Sequence, residues 1–175
     1  MECSPQKSEQ YGRWVVSSYI ANSAREKGNN NFQVTYTSNP FDPADILYTF
    51  EGFGKYAVEV KVRDREYPTM FYEVGKDKGL QQYRQQGYSL IYANVCEDTG
   101  KLYMWNVTDL SKVKGVKTTV APCFASIYSN PVIVAKPIYE LPLTSAIINA
   151  DVTNYINQYL YTYANHQQTE KENKR

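Results

Sequence analysis

The sequence predicts an α/β fold in which a mixed central sheet is flanked by helices. A helical stripe opens the chain and another closes it. Between them lie short apolar runs whose side chains alternate as in half-buried strands. With 175 residues and 42% hydrophobic content, the chain is long enough for one domain with its own core, expected over residues 1–165 ahead of a polar tail at 166–175. Strands and helices do not alternate strictly, which argues against a doubly wound sheet, and no internal repeat is visible.

From Tyr11 to Lys27, Val16, Ile20 and Ala24 form one stripe, joined by Trp14 and Tyr19, as an amphipathic helix requires; Gly28-Asn29-Asn30-Asn31 stops it. Phe32, Val34 and Tyr36 then alternate with Gln33, Thr35 and Thr37 as a strand with one buried face. Ser38 to Pro43 is a turn-rich connection, because each proline fixes its own φ and biases the preceding residue away from helix. Asp45-Ile46-Leu47-Tyr48, a turn through Gly52 and Gly54, and Ala57 to Arg63 read as a strand hairpin. A charged loop with Pro68 leads to a short helix near Lys76 to Gln86, closed by Gly87. Tyr88 to Val95 and Lys101 to Val107 are strands joined by the turn Glu97-Asp98-Thr99-Gly100. Val132 to Ala135 is a further apolar run, and Pro137 and Pro142 after it predict a sheet edge or a break. Ile148, Val152, Tyr155, Ile156, Tyr159, Leu160 and Tyr163 recur at helical spacing and predict the last helix.

Composition narrows the chemistry. Residues Met1 to Lys7 lead into no signal-like apolar stretch and no segment approaches a membrane-spanning length, so a soluble, cytoplasmic protein without membrane contact is expected. Cys3, Cys96 and Cys123 are too few and too far apart for a disulfide framework or a zinc ligand set. His166 is the sole histidine and lies in the tail, so a Ser-His-Asp triad, a Cys-His pair and a His-rich metal site all lack a member. There is no Gly-rich phosphate loop. A net charge of +1 means that contact with nucleic acid must come from a local patch or from an added subunit, a homodimer being one source. Most of the seventeen tyrosines suit strand packing; Tyr48, Tyr56, Tyr67 and Tyr72 surround the hairpin, where base stacking is the other use of such rings.

The hairpin carries the chemistry. In its second strand Tyr56, Val58, Val60 and Val62 share one face, while Glu59, Lys61 and Arg63 share the other. Asp45 on the neighbouring strand would bring a second carboxylate to the same point. Two carboxylates and an ammonium group can hold a divalent cation beside an activated water, the apparatus for cutting a phosphodiester. Asp42 competes with Asp45, but it precedes Pro43 in the turn, whereas Asp45 begins an apolar run and is better placed on a sheet.

This order of helix, strand, Asp-bearing strand, Glu-x-Lys strand, helix and strand resembles the core of the PD-(D/E)XK, or restriction-endonuclease-like, nuclease superfamily over Tyr11 to Val107. The resemblance implies a DNA nuclease dependent on Mg2+ or Mn2+. It assigns the metal to Asp45, Glu59 and the backbone carbonyl of Val60, and the attacking water to Lys61. Pro43-Ala44-Asp45 departs from the adjacent Pro-Asp spelling. A further acidic residue often comes from the first helix, where Glu9, just upstream, matches better than Glu26. The helix after the Glu-x-Lys strand often adds a Lys or Gln, here Lys76, Gln81 or Gln82. Arg63 and Arg65 continue the polar face as candidate phosphate ligands or as surface ion pairs. By analogy, a phage or mobile-element enzyme or a repair or junction nuclease is implied. Two rivals stay open: a catalytically idle nuclease-fold protein that binds nucleic acid or a protein partner, and a Tyr-rich assembly protein whose charged strand face is merely solvated.

Overall fold

A computed structural model of the protein describes residues 5–39, 42–125 and 132–172, with side chains described for 10–39, 42–122 and 133–163. In chain order the elements are α1 (Pro5–Glu26), β1 (Phe32–Tyr36), β2 (Ile46–Phe50), β3 (Gly54–Arg63), β4 (Thr69–Glu73), α2 (Val74–Gln85), β5 (Tyr88–Cys96), β6 (Lys101–Asn106), β7 (Lys117–Ala125), β8 (Val132–Pro142), β9 (Ile148–Asp151) and α3 (Thr153–Glu172). Short 3-10 turns at Leu110–Lys112 and Leu143–Ser145 punctuate the second half. The architecture is mixed α/β. A six-stranded sheet, ordered β1-β2-β3-β5-β6-β9, is flanked by helices, and a three-stranded sheet, β4-β8-β7, packs beside it.

The central sheet is mixed because β3 pairs parallel to β5, while its other pairs are antiparallel. A parallel neighbour requires a crossover, and β4 with α2 supplies it. The expected core order of helix, three strands, helix and strand is therefore present, with β4 added within it. On one face of the sheet, Val58, Val60, Ile91, Ala93 and Val95 pack under Tyr11, Val15 and Val16 of α1 and against Tyr155, Ile156 and Tyr159 of α3. On the other, Ala57, Leu90, Tyr92 and Trp105 pack with Leu80 and Tyr83 of α2 and with Met70, Tyr72 and Leu141 of the small sheet. Tyr72 of the small sheet and Tyr92 of the central sheet bridge the layers with rings 4.6 Å apart, and Tyr92 in turn lies 6.1 Å from Trp105 on the neighbouring strand. Tyr48 and Tyr72 are core residues, whereas Tyr67 is exposed.

Several expectations are corrected. The first helix starts at Pro5, so Glu9 lies within it rather than upstream; its side chain falls outside those described. The loop after Arg63 contains β4, and Lys117–Ala125 forms a strand. The prolines of β8 mark neither an edge nor a break, because β8 is the middle strand of the small sheet. Pro137 is paired only with β7 and Pro142 only with β4, so each stands where β8 has a neighbour on one side alone. Ile148 belongs to β9, opposite Met104 of β6, and α3 begins only at Thr153, whose N–H donates to Asp151 Oδ1. The last helix runs on to Glu172, into the segment expected as a tail. Among the described residues no helix is long and apolar enough to cross a membrane.

Two glycines let the helices approach the hairpin. A Cβ on Gly12 would lie 2.7 Å from Val62 Cγ2 and 3.0 Å from Val60 Cγ1, so α1 rests directly on β3. A Cβ on Gly79 would lie 2.7 Å from Pro43 Cβ, so α2 rests on the turn before Asp45. Gly12→Ala should cost about 1–3 kcal/mol through overpacking, because the short valine branches have little room to yield. Urea denaturation of the two proteins measures it, and unchanged stability would mean that α1 sits further from the sheet.

Candidate active site

Register builds the site. β2 and β3 pair from Phe50↔Gly54 to Ile46↔Val58, which brings Asp45, the residue before β2, beside Glu59. The Asp45 N–H donates to the Val58 carbonyl at 2.8 Å, and Asp45 Oδ2 accepts from the Val60 N–H at 2.7 Å. Asp45 thus extends the ladder with its side chain just past the strand end. In a strand a residue's N–H and C=O point to the same side. The Val60 carbonyl therefore opens toward the corner where β2 has ended.

Asp45 is held from α1. Arg13 Nε and Nη2 donate to its Oδ1 at 3.1 and 2.7 Å, and Arg13 Nη1 donates to the Thr37 carbonyl at 3.0 Å. The fork takes Oδ1, and Val60 takes one of the two acceptor positions on Oδ2. Gly12 sets the height of α1 above β3 and so brings the adjacent Arg13 within reach.

Glu59 is 1% exposed, on the α2 side of the sheet next to Tyr92 of β5. Lys61 Nζ lies 3.5 Å and Lys76 Nζ 3.1 Å from its Oε1, and Lys76 Nζ donates to Oε2 at 3.4 Å. Oε1 is buried without a well-formed hydrogen bond. Burial, and then the Asp45 charge, push the Glu59 carboxyl up to about 7 against the opposing pull of Lys61 and Lys76. Burial alone would depress Lys61, but Glu59, followed by Tyr92 and Asp45, raises it, so Lys61 is an ammonium ion at neutral pH.

The remaining candidates are disposed as follows. Asp42 accepts from the Ala44 N–H at 3.0 Å and from the Tyr83 hydroxyl at 2.8 and 2.9 Å, which closes the turn onto α2. Arg63 donates to Asn94 Oδ1, the Phe71 carbonyl and the Tyr92 hydroxyl, tying β4 to the central sheet. Arg65 is exposed beside Asp64. Gln81 donates to Asp77 Oδ1, and Gln82 is exposed. The structure therefore brings together Asp45, Glu59, Lys61 and Lys76, turns Asp42, Arg63 and Gln81 to other partners, and leaves Gln82 exposed. Arg13 escaped the sequence reading. Its only local signal is a glycine followed by a long cation inside an otherwise apolar helical stripe.

The oxygen donors fit a hard divalent cation: a buried carboxylate oxygen lacking a hydrogen bond, a second carboxylate with a free acceptor position, and a backbone carbonyl nearby. Among the described residues no three His, Cys, Asp or Glu side chains converge. An ion here would rest on two carboxylates, and water or substrate oxygen would complete its shell.

No family model matches the chain, and no curated protein sequence matches it significantly. Among solved structures it is similar to Hjc, a Holliday junction resolvase of the hyperthermophilic archaeon Archaeoglobus fulgidus. The match covers 78% of this chain and 96% of that one, with 14% identity and a TM-score of 0.46.

Proposed function

We propose that the chain is a PD-(D/E)XK-type nuclease that hydrolyses DNA phosphodiester bonds with Mg2+ or Mn2+. The observation that carries this reading is the meeting of Asp45, Glu59 and Lys61 at the open end of the β2–β3 ladder, with both carboxylates buried and the lysine partly exposed. Asp45, Glu59 and the Val60 carbonyl would hold the ion, which supplies Lewis-acid polarisation of the phosphate and a more acidic bound water. Arg13 and the Val60 N–H fix the Asp45 carboxylate so that Oδ2 keeps one acceptor position. Lys61, kept protonated by its neighbours, orients the attacking water as a hydrogen-bond donor and stabilises charge gathering on the phosphoryl oxygens. A phage or mobile-element enzyme, or a repair or junction nuclease, suits this size and chemistry.

A second reading is favoured by one specific observation. The chain already neutralises its own carboxylates, Asp45 with Arg13 and Glu59 with two lysines. A catalytically idle nuclease-fold protein that binds nucleic acid or a protein partner would look the same. The deciding experiment offers plasmid, linear, single-stranded and branched DNA, and RNA, to the purified protein with Mg2+, with Mn2+ and with chelator. Cleavage of a DNA form that requires metal and is lost in Glu59→Gln supports the nuclease; intact substrates throughout would leave the binder.

A further inference from the structure

Glu59 is almost fully buried, whereas the two lysines on it are partly exposed, Lys61 at 37% and Lys76 at 34%. The ammonium groups therefore stand between the carboxylate and solvent. One carboxylate with two ammonium ions leaves an excess positive charge at the mouth of the site. A divalent cation approaching Glu59 meets like charge first, and a phosphate meets opposite charge. The two lysines differ in their freedom to move. Lys61 sits two residues from Glu59 on the same strand and stays beside it. Lys76 reaches over from the first turn of α2, and its contact with Glu59 can be exchanged for another anion without disturbing β3.

We infer that binding at this site is ordered: a nucleic-acid phosphate docks first on Lys76 and Lys61 without metal, draws Lys76 off Glu59, and so opens that carboxylate to the divalent ion. The inference rests on the nuclease reading of the site and adds a regulatory consequence. The ion is held weakly until substrate is present, and by reciprocity the ion then tightens the hold on substrate.

The test measures binding with DNA whose phosphorothioate linkages resist hydrolysis. Fluorescence anisotropy in chelator follows DNA binding, and calorimetry follows Mn2+ binding with and without saturating DNA. The wild type should bind DNA in chelator and should bind Mn2+ about tenfold or more tightly once DNA is present. Lys76→Met should bind Mn2+ more tightly than wild type in the absence of DNA, bind DNA more weakly in chelator, and lose most of the coupling. Lys78→Met, which removes an exposed lysine two residues further along α2, should behave as wild type. Lys76→Gln replaces the Met variant if that protein fails to fold. Equal Mn2+ affinity with and without DNA, DNA binding that requires Mn2+, or a Lys76 variant indistinguishable from Lys78→Met would each overturn the ordered scheme. Cleavage of unmodified DNA by the same preparation is scored separately. Cleavage without coupling sinks the order and spares the nuclease reading, and coupling without cleavage does the reverse.

Discussion

Lys61→Ala should slow metal-dependent DNA cleavage by about a hundred- to ten-thousand-fold while the protein stays folded. The separation follows from burial. Lys61 is partly exposed, and Lys76, nearer to Oε1, remains to neutralise Glu59 when Lys61 is removed. The loss is then one of transition-state charge stabilisation and water orientation, not of folding. Time courses of cleavage with Mn2+, set beside thermal melts of both proteins, measure the two quantities. Nicking by Lys61→Ala at the wild-type rate would remove Lys61 from the chemistry and the proposed mechanism with it.

Arg13→Ala should cost about 3 kcal/mol of stability, the lower end of the range for removing one partner of a buried ion pair, because Arg13 itself is only partly buried. Arg13 is 17% and Asp45 10% exposed at the side chain, and Arg13 makes two of the three hydrogen bonds to the Asp45 carboxylate among the described residues. Its removal leaves that carboxylate with the Val60 N–H as its remaining described donor, and the Thr37 carbonyl loses a donor too. Denaturant unfolding of Arg13→Ala, Asp45→Asn and the double variant forms the cycle. The double variant should be less damaged than the sum of the singles, because a neutral amide no longer needs the guanidinium. Strict additivity would mean that the two side chains do not interact in solution.

Much of the frame was legible because each strand of the hairpin has one core face. Val58 and Val60 alternate with Glu59 and Lys61 in the sequence as they do across the sheet, and the glycine-containing turn marks where the chain reverses. The small sheet was not legible in the same way. β4 is five residues long and follows Pro68, and β7 carries Lys117, two threonines and Pro122; their strand character comes from pairing with β8 and not from local pattern. Ile148 and Val152 are four apart and fit a helical stripe, yet Ile148 and Ala150 fit a strand equally well, and pairing with β6 decides. Within the candidate site, the shared face of Glu59 and Lys61 was visible from alternation, whereas Lys76 was one of three residues on the following helix that only the family resemblance offered. Arg13 was hidden because its partner lies 32 residues away, and no local period reports a contact of that range. Arg63 shares its strand face with Glu59 and Lys61 but is drawn to Asn94, Tyr92 and Phe71, a choice made by β4 and β5 together.

The central claim is that one divalent ion sits between the Asp45 and Glu59 carboxylates. Crystals of the protein with hydrolysis-resistant DNA, soaked in Mn2+ and measured for anomalous scattering, test it most directly. The account predicts a peak within coordination distance of Asp45 Oδ2, a Glu59 oxygen and the Val60 carbonyl, with Lys76 moved off Glu59 toward a phosphate. A DNA-bound site with no peak there, and Lys76 still seated on Glu59, would contradict it.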